Sequence, residues 1–339
     1  MRTLAVRLDS LGDVLVTGPA IRALAAGSAS LTLLCGPRGR AAAELLPGVD
    51  DLLCWRSPWI DPEPDAVDPG DVRALIADLA GRRFDRAVVF TSFHQSPLPT
   101  ALVCRMAGIP WVGAISEDYP GSLLDVRHRV GDDLPEPERA LSLAAACGAS
   151  LPGSDDGRLA VRPGAVPPTE LGEDYVVLHP GTSVPARAWP AAGYRRTAER
   201  LEDDGHRVVV TGAPQEQELT AYVAGRSGAC DLGGRTDLAG LAGVLAGARA
   251  VVVGNTGPAH LAAAVGTPIV SLFAPTVPRT RWAPYGVPLV VLGDQDAPCR
   301  DTRATRCPVP GHPCLASVTP DDVVAAVATL SGPALRRPA

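Results

Sequence analysis

The stretch that most constrains this 339-residue chain is Arg249 to Thr276, RAVVVGNTGPAHLAAAVGTPIVSLFAPT. Ala250 to Val253 is a continuous apolar run, which suits a strand buried on both faces of a parallel sheet. Gly254 and Asn255 end it. Thr256 then stands at an N-cap position, Gly257 admits close backbone approach and Pro258 suits the first helical position. His260 to Val265 runs apolar until Gly266 can stop the helix. Thr267 to Phe273 gives a further strand. A strand, a tight turn, a short helix and a strand put free N–H groups and a helix N-terminus at the carboxyl edge of a sheet. That arrangement suits the phosphates of a nucleotide-type ligand. Ordinary helix-start chemistry accounts for the same residues, and His260 reads either as a ligand contact or as a satisfied core histidine.

The same alternation runs through the chain. Strands are expected over Thr3–Leu8, Leu31–Cys35, Val49–Trp55, Arg86–Phe90 and Trp111–Ile115. Helices are expected over Val14–Ala26, Arg38–Leu46, Asp71–Arg82, Pro99–Ala107 and Glu136–Cys147. Leu151–Leu171, rich in Pro, Gly and Asp, reads as the linker. Beyond it come strands at Tyr175–Leu178, Arg207–Thr211 and Pro288–Leu292. Helices follow at Ala191–Glu202, Glu216–Ala224, Asp237–Leu245 and Pro320–Leu330. The fold class is α/β: two doubly wound parallel-sheet domains, residues 1–160 and 161–318, expected to leave a cleft at the carboxyl ends of their strands.

The net charge of −6 argues against a nucleic-acid partner. All 31 cationic residues are Arg, so an Arg in place of Lys carries little meaning here. The N-terminus enters a strand directly without the apolar core of a signal peptide, and no run approaches the roughly 18 apolar residues of a membrane span. The chain is read as cytoplasmic, with at most a peripheral membrane contact. Its eight cysteines are read as reduced thiols, Cys35, Cys104, Cys147 and Cys230 among them as core fillers.

Four groups of residues could carry chemistry. Asp13, after the first strand, could take a proton from a hydroxyl, or could simply cap a helix. His179-Pro180-Gly181-Thr182-Ser183, with Arg187 beyond, offers hydroxyls, amides and a permanent cation to an anion; a Ser/Thr-rich turn reads the same way. Glu216 could accept from ribose hydroxyls or favour a helix start. Cys299, Cys307, His312 and Cys314 fit no standard zinc spacing and read as loop thiols or a disulfide. The loop at His94, Gln95 and Ser96 is a candidate acceptor contact.

Arg7, Ser10, Gly12, Asp13 and Pro19 resemble the opening of glycosyltransferase family nine, the ADP-heptose:lipopolysaccharide heptosyltransferases. So do Pro180–Ser183 with Arg187 and Trp189-Pro190, and Thr256-Gly257 with His260, Leu261–Ala264, Gly266–Pro268 and Ala274–Thr276. The resemblance spans nearly the whole chain and implies a GT-B architecture, with the segment 319–339 packing back on the first domain. It implies inverting transfer of a heptose-like sugar from a nucleotide-diphosphate donor, ADP-heptose, without metal or cofactor. The acceptor is a glycan, a glycolipid or a small molecule. Asp13 falls on the family's general base. Thr182, Ser183 and Arg187 fall where the donor diphosphate is held, Glu216 and Thr236 near the nucleoside. Gly12, Asn255, Thr256, Gly257 and His260 complete the donor contacts. Asn255 stands where the family usually has Asp, and Arg187 where it usually has Lys. The rival readings are a nucleotide-sugar 2-epimerase on the same architecture and a non-catalytic sugar-nucleotide binder. A dehydrogenase is disfavoured because no G-x-G-x-x-G follows the first strand.

Overall fold

Leu4, Ala5 and Val6 are wholly buried, as are Val251, Val252 and Val253. These are the continuous apolar runs that parallel sheets with covered faces require. The computed structural model describes residues 1–131, 133–162, 171–172, 174–225 and 228–330. It divides into two units, Met1–Arg162 and Pro163–Ala339.

In the first unit the strands are β1 (Arg2–Arg7), β2 (Ser30–Cys35), β3 (Asp51–Cys54), β4 (Arg86–Val89), β5 (Val112–Ile115) and β6 (Val126–His128). They lie in the order β3-β2-β1-β4-β5-β6, with parallel pairing throughout. The second unit holds β7 (Tyr175–His179), β8 (Arg207–Val210), β9 (Cys230–Asp231), β10 (Ala248–Gly254), β11 (Ile269–Leu272) and β12 (Leu289–Leu292). Their order is β12-β11-β10-β7-β8-β9, again parallel. Counted from its own first strand, each sheet reads 3-2-1-4-5-6. That is the doubly wound order, in which the direction of winding reverses between the first strand and the fourth. The reversal lies between β1 and β4 in one unit and between β7 and β10 in the other.

Most expected elements are present within a residue or two. The single helix expected over Val14–Ala26 is instead two, Leu11–Val16 and Gly18–Ala26. Pro19 has no N–H to continue the first helix, and the Thr17 hydroxyl turns back to the Asp13 carbonyl at 2.8 Å. The strands β6 and β9 were not expected; they are three and two residues long and half-buried, too short to show a period.

The boundary between the units, after Arg162, falls within the stretch Leu151–Leu171 read as the linker. The part of it from Asp155 to Arg162 is bonded to the first unit. Arg22 grips Asp155 at 2.5 Å and the Arg158 carbonyl at 2.7 Å, and the Arg162 N–H reaches the Leu45 carbonyl at 2.7 Å. Its polar residues form these bonds rather than a periodic face. Residues 163–170 of that stretch lie outside the described residues. The helix Pro320–Leu330, in the segment expected to pack back on the first domain, is built into the second unit. Val323, Ala326, Val327 and Leu330 are buried in the second unit's core with Val176, Leu178 and Leu201. The remainder of the segment, 331–339, is outside the described residues.

Candidate functional site

At the reversal of the first unit, the loop after β1 meets the loop after β4. Arg7, the last residue of β1, is only 2% exposed. Its Nε lies 3.1 Å from Asp9 Oδ2, and its Nη2 lies 3.0 Å from Asp13 Oδ1 and donates to Ser92 Oγ at 3.0 Å. Asp13 Oδ2 accepts from the Ser10 hydroxyl at 2.6 Å and the Ser10 N–H at 3.3 Å. Of the roles the position of Asp13 allowed, the capping one is seen directly, and an ion pair adds to it. Asp13 closes the first turn of the helix Leu11–Val16, and it stands as a charge-assisted partner of a buried arginine. Gln95 Nε2 donates to Asp9 Oδ1 at 2.6 Å, and its own carbonyl accepts from the Ser92 N–H at 2.9 Å. Burial, opposed by Arg7 and assisted by Asp13, pushes the Asp9 carboxyl up to about 6. Burial alone would lower Arg7; Asp9, Asp13 and Glu136 outweigh it and raise it.

The reversal of the second unit joins the loops after β7 and β10. Arg187, at the end of the short 3-10 turn Pro185–Arg187, donates from Nη1 to the Asn255 carbonyl at 3.3 Å. Gly254 permits this approach, since a Cβ there would lie 3.3 Å from the Arg187 carbonyl oxygen. The Asn255 amide is 5% exposed and occupied in both directions. Nδ2 donates to the Ala274 carbonyl and Oδ1 accepts from the Ala274 N–H, each at 3.3 Å. This side chain works as a peptide-like clamp between the loops after β10 and β11. Thr256 is extended and its hydroxyl makes no cap bond, while its carbonyl accepts from the Ala259 N–H at 3.0 Å. Gly257 and Pro258 open the helix Gly257–Ala264, in which His260 is buried at 6% exposure.

Neighbouring loops extend this edge. Thr182 Oγ1 accepts from the Val184 N–H at 3.2 Å, and Ser183 is exposed beside it. The Glu216 carboxylate lies over Gly181, where a Cβ would come within 2.2 Å of it. One of its oxygens accepts from the Ala213 N–H at 2.8 Å. Glu216 thus closes the loop after β8 and lies against the loop after β7. Thr236 lies after β9, just before Asp237, which caps the helix Leu238–Ala246 through the Gly240 N–H at 2.7 Å. His179 is buried against Thr211 Oγ1 at 2.9 Å, and burial pulls its imidazole down to about 4.

Among the described residues no cluster of His, Cys, Asp or Glu has the form of a metal site. All eight cysteines are free thiols, so the disulfide reading at Cys299, Cys307 and Cys314 is corrected. Cys299 and Cys314 are instead hydrogen-bonded neighbours buried in the core. Their separation in sequence hid that packing role. His312 Nε2 lies 3.0 Å from the Ala186 carbonyl. No helix among the described residues is long and apolar enough to cross a membrane.

The model of glycosyltransferase family 9 (heptosyltransferase) matches residues 72–311. The chain belongs to that family. This glycosyltransferase is 29% identical over 300 residues to lipopolysaccharide heptosyltransferase 1 of Escherichia coli K12, covering 82% of this chain and 89% of that one. It is 40% identical over 137 residues to the Pseudomonas aeruginosa enzyme of the same name, a match that spans 40% of this chain and 38% of that relative. Its fold matches that of the family 9 glycosyl transferase of Veillonella parvula with a TM-score of 0.77, at 17% identity and 97% coverage of both chains. E. coli heptosyltransferase WaaC with ADP-2-deoxy-2-fluoro heptose superposes with a TM-score of 0.71, at 23% identity, covering 97% of this chain and 99% of that one. The architecture is GT-B: two doubly wound α/β units.

Within this glycosyltransferase the structure gathers Arg187, Asn255, Thr256 and Gly257 at one sheet reversal, with Thr182, Ser183 and Glu216 in adjoining loops. Gly12 is not among them; it is buried in the first unit beside Asp13. Sequence reasoning overlooked Arg7, Asp9 and Ser92 as one cluster with Asp13. The available signal was a cation closing an apolar strand, which needs acids nearby when buried. Gln95, in the loop read as a candidate acceptor contact, donates to Asp9.

Proposed function

We propose that this glycosyltransferase moves a heptose-like sugar from ADP-heptose to a hydroxyl of a lipopolysaccharide precursor, with inversion and without a metal ion. The observation that carries the reading is the chemistry found at the two sheet reversals. One holds a carboxylate, Asp13, beside a buried cation. The other holds an arginine and a helix start, both suited to a diphosphate. The donor named with WaaC and the lipopolysaccharide names of the relatives support the choice of substrates.

In this reading Asp13 accepts the proton of the acceptor hydroxyl as its oxygen bonds to the anomeric carbon. The bond from that carbon to the diphosphate breaks on the opposite face, and the electron pair leaves with the phosphate oxygen. Arg187 and the amides near Gly257 meet the charge that develops there; each well-placed donor of this kind contributes roughly 3 kcal/mol of transition-state stabilisation. Thr182 and Ser183 offer further donors, and Glu216 and Thr236 lie toward the nucleoside.

The test is incubation of the purified enzyme with ADP-heptose and a lipopolysaccharide inner-core acceptor in excess chelator, with the product's anomeric configuration read by NMR. The reading predicts transfer with configuration opposite to the donor's. Retained configuration, or turnover restored only by a divalent ion, overturns the mechanism. Isomerisation of donor without acceptor identifies an epimerase instead.

A further inference from the structure

Two carboxylates share one guanidinium at the first reversal. Asp9 is the inner one, 9% exposed, and Asp13 the outer, 15% exposed; Arg7 between them is 2% exposed. Gln95 fixes Asp9 from the loop after β4. Glu136 faces the cluster from the helix Glu136–Ala146, with Arg139 3.6 Å from it. The function proposed above uses Asp13 and leaves Asp9 unexplained, although a buried carboxylate is costly to keep.

We propose that Asp9 is the positioning counter-ion that keeps Asp13 basic, by holding Arg7 paired at the moment Asp13 takes the acceptor's proton. This rests on Asp13 being the base. The argument is charge balance. While both acids are ionised, Arg7 divides its charge between them and Asp13 feels only part of it. When the acceptor O–H bond breaks and the proton moves to Asp13, Arg7 keeps Asp9 as its partner and the pair stays neutral. Without Asp9, protonating Asp13 would leave the buried guanidinium with only the more distant field of Glu136, itself shared with Arg139, to offset its charge, a state whose cost opposes proton uptake. Asp13 would then be a weaker base, because an undivided opposite charge within about 4 Å depresses a carboxyl by about 1–3 pKa units. Asp9 itself takes up a proton near pH 6, so acid should reproduce the loss of Asp9.

The experiment is the pH–kcat profile of the full-length enzyme for wild type, Asp9→Asn, Asp9→Glu and Gln95→Leu, with donor KM measured alongside. Asp9→Asn should move the acid limb down by about one unit and lower the plateau about tenfold through the weaker base. Donor KM should stay within about twofold, since the counter-ion acts on the proton-transfer step and not on donor binding. Asp9→Glu should recover part of the plateau. Gln95→Leu, which removes a hydrogen bond from ionised Asp9, should slow the enzyme chiefly below neutral pH, and it decides the matter if Asp9→Asn does not fold. A wild-type profile in Asp9→Asn, or in Gln95→Leu where that variant decides, overturns the inference. Asp13→Asn run in parallel separates the two levels. If it still transfers at the wild-type rate, the base assignment fails. If it is inactive while the Asp9 variant keeps the wild-type profile, only the counter-ion role fails.

Discussion

Arg187 reaches the Asn255 carbonyl with one nitrogen, so its guanidinium is anchored to the loop that also carries Gly257. A lysine would keep the charge but lose the planar fork that can hold a backbone oxygen and a phosphate together. Arg187→Ala should therefore raise donor KM and lower kcat together, while Arg187→Lys should keep most binding; steady-state kinetics across donor concentrations checks both. Asn255, read as a donor contact, has a structural role that the sequence did not show. Both ends of its amide bind Ala274, and an aspartate there has no N–H for the Ala274 carbonyl. Asn255→Asp should destabilise the second unit by about 1–3 kcal/mol, read by urea titration. His179 gives a pH test. Its imidazole titrates near 4 in the folded chain against 6.5 ordinarily, so the unfolded chain binds more protons between those values. Its contribution to stability is complete above pH 6.5 and fades as pH falls toward 4. The wild type should lose on the order of 2 kcal/mol more than His179→Gln over that window.

The reversals depend on small residues that let loops approach, and these were legible in the sequence only as turn signals. Gly36 ends β2 where a Cβ would sit 2.3 Å from the Leu8 carbonyl oxygen, which is the backbone leading into Asp9. Gly36→Ala must push that loop away. It should cost about 1–3 kcal/mol in stability and slow transfer as well, as measured by thermal unfolding and activity on one preparation. The strands and most helices were legible because apolar runs and caps are local properties of the chain. The break at Thr17 was missed because Pro19 also suits an early helical position, and only the turn of the Thr17 hydroxyl onto Asp13 shows which role it plays. Asp13 itself was legible as a candidate. Its link to Ser92 was not, because that contact joins the helix after β1 to a loop 79 residues away.

For the whole molecule, two copies of one winding order give each unit a sheet reversal, and the proposed function draws on residues at both. The second unit depends on its last helix: Val323, Val327 and Leu330 are at most 5% exposed. Leu330→Ala should cost about 2–5 kcal/mol, with hydrogen exchange rising in the second unit's strands and not in the first unit's. The division of labour proposed above gives Asp13 the role of proton acceptor and Arg187 that of diphosphate holder. Its most direct test is single-turnover transfer by Asp13→Asn, with the donor Kd measured on the same sample. The expected result is a rate lower by about 10²–10⁴ with donor affinity within about threefold. Transfer at the wild-type rate would contradict it.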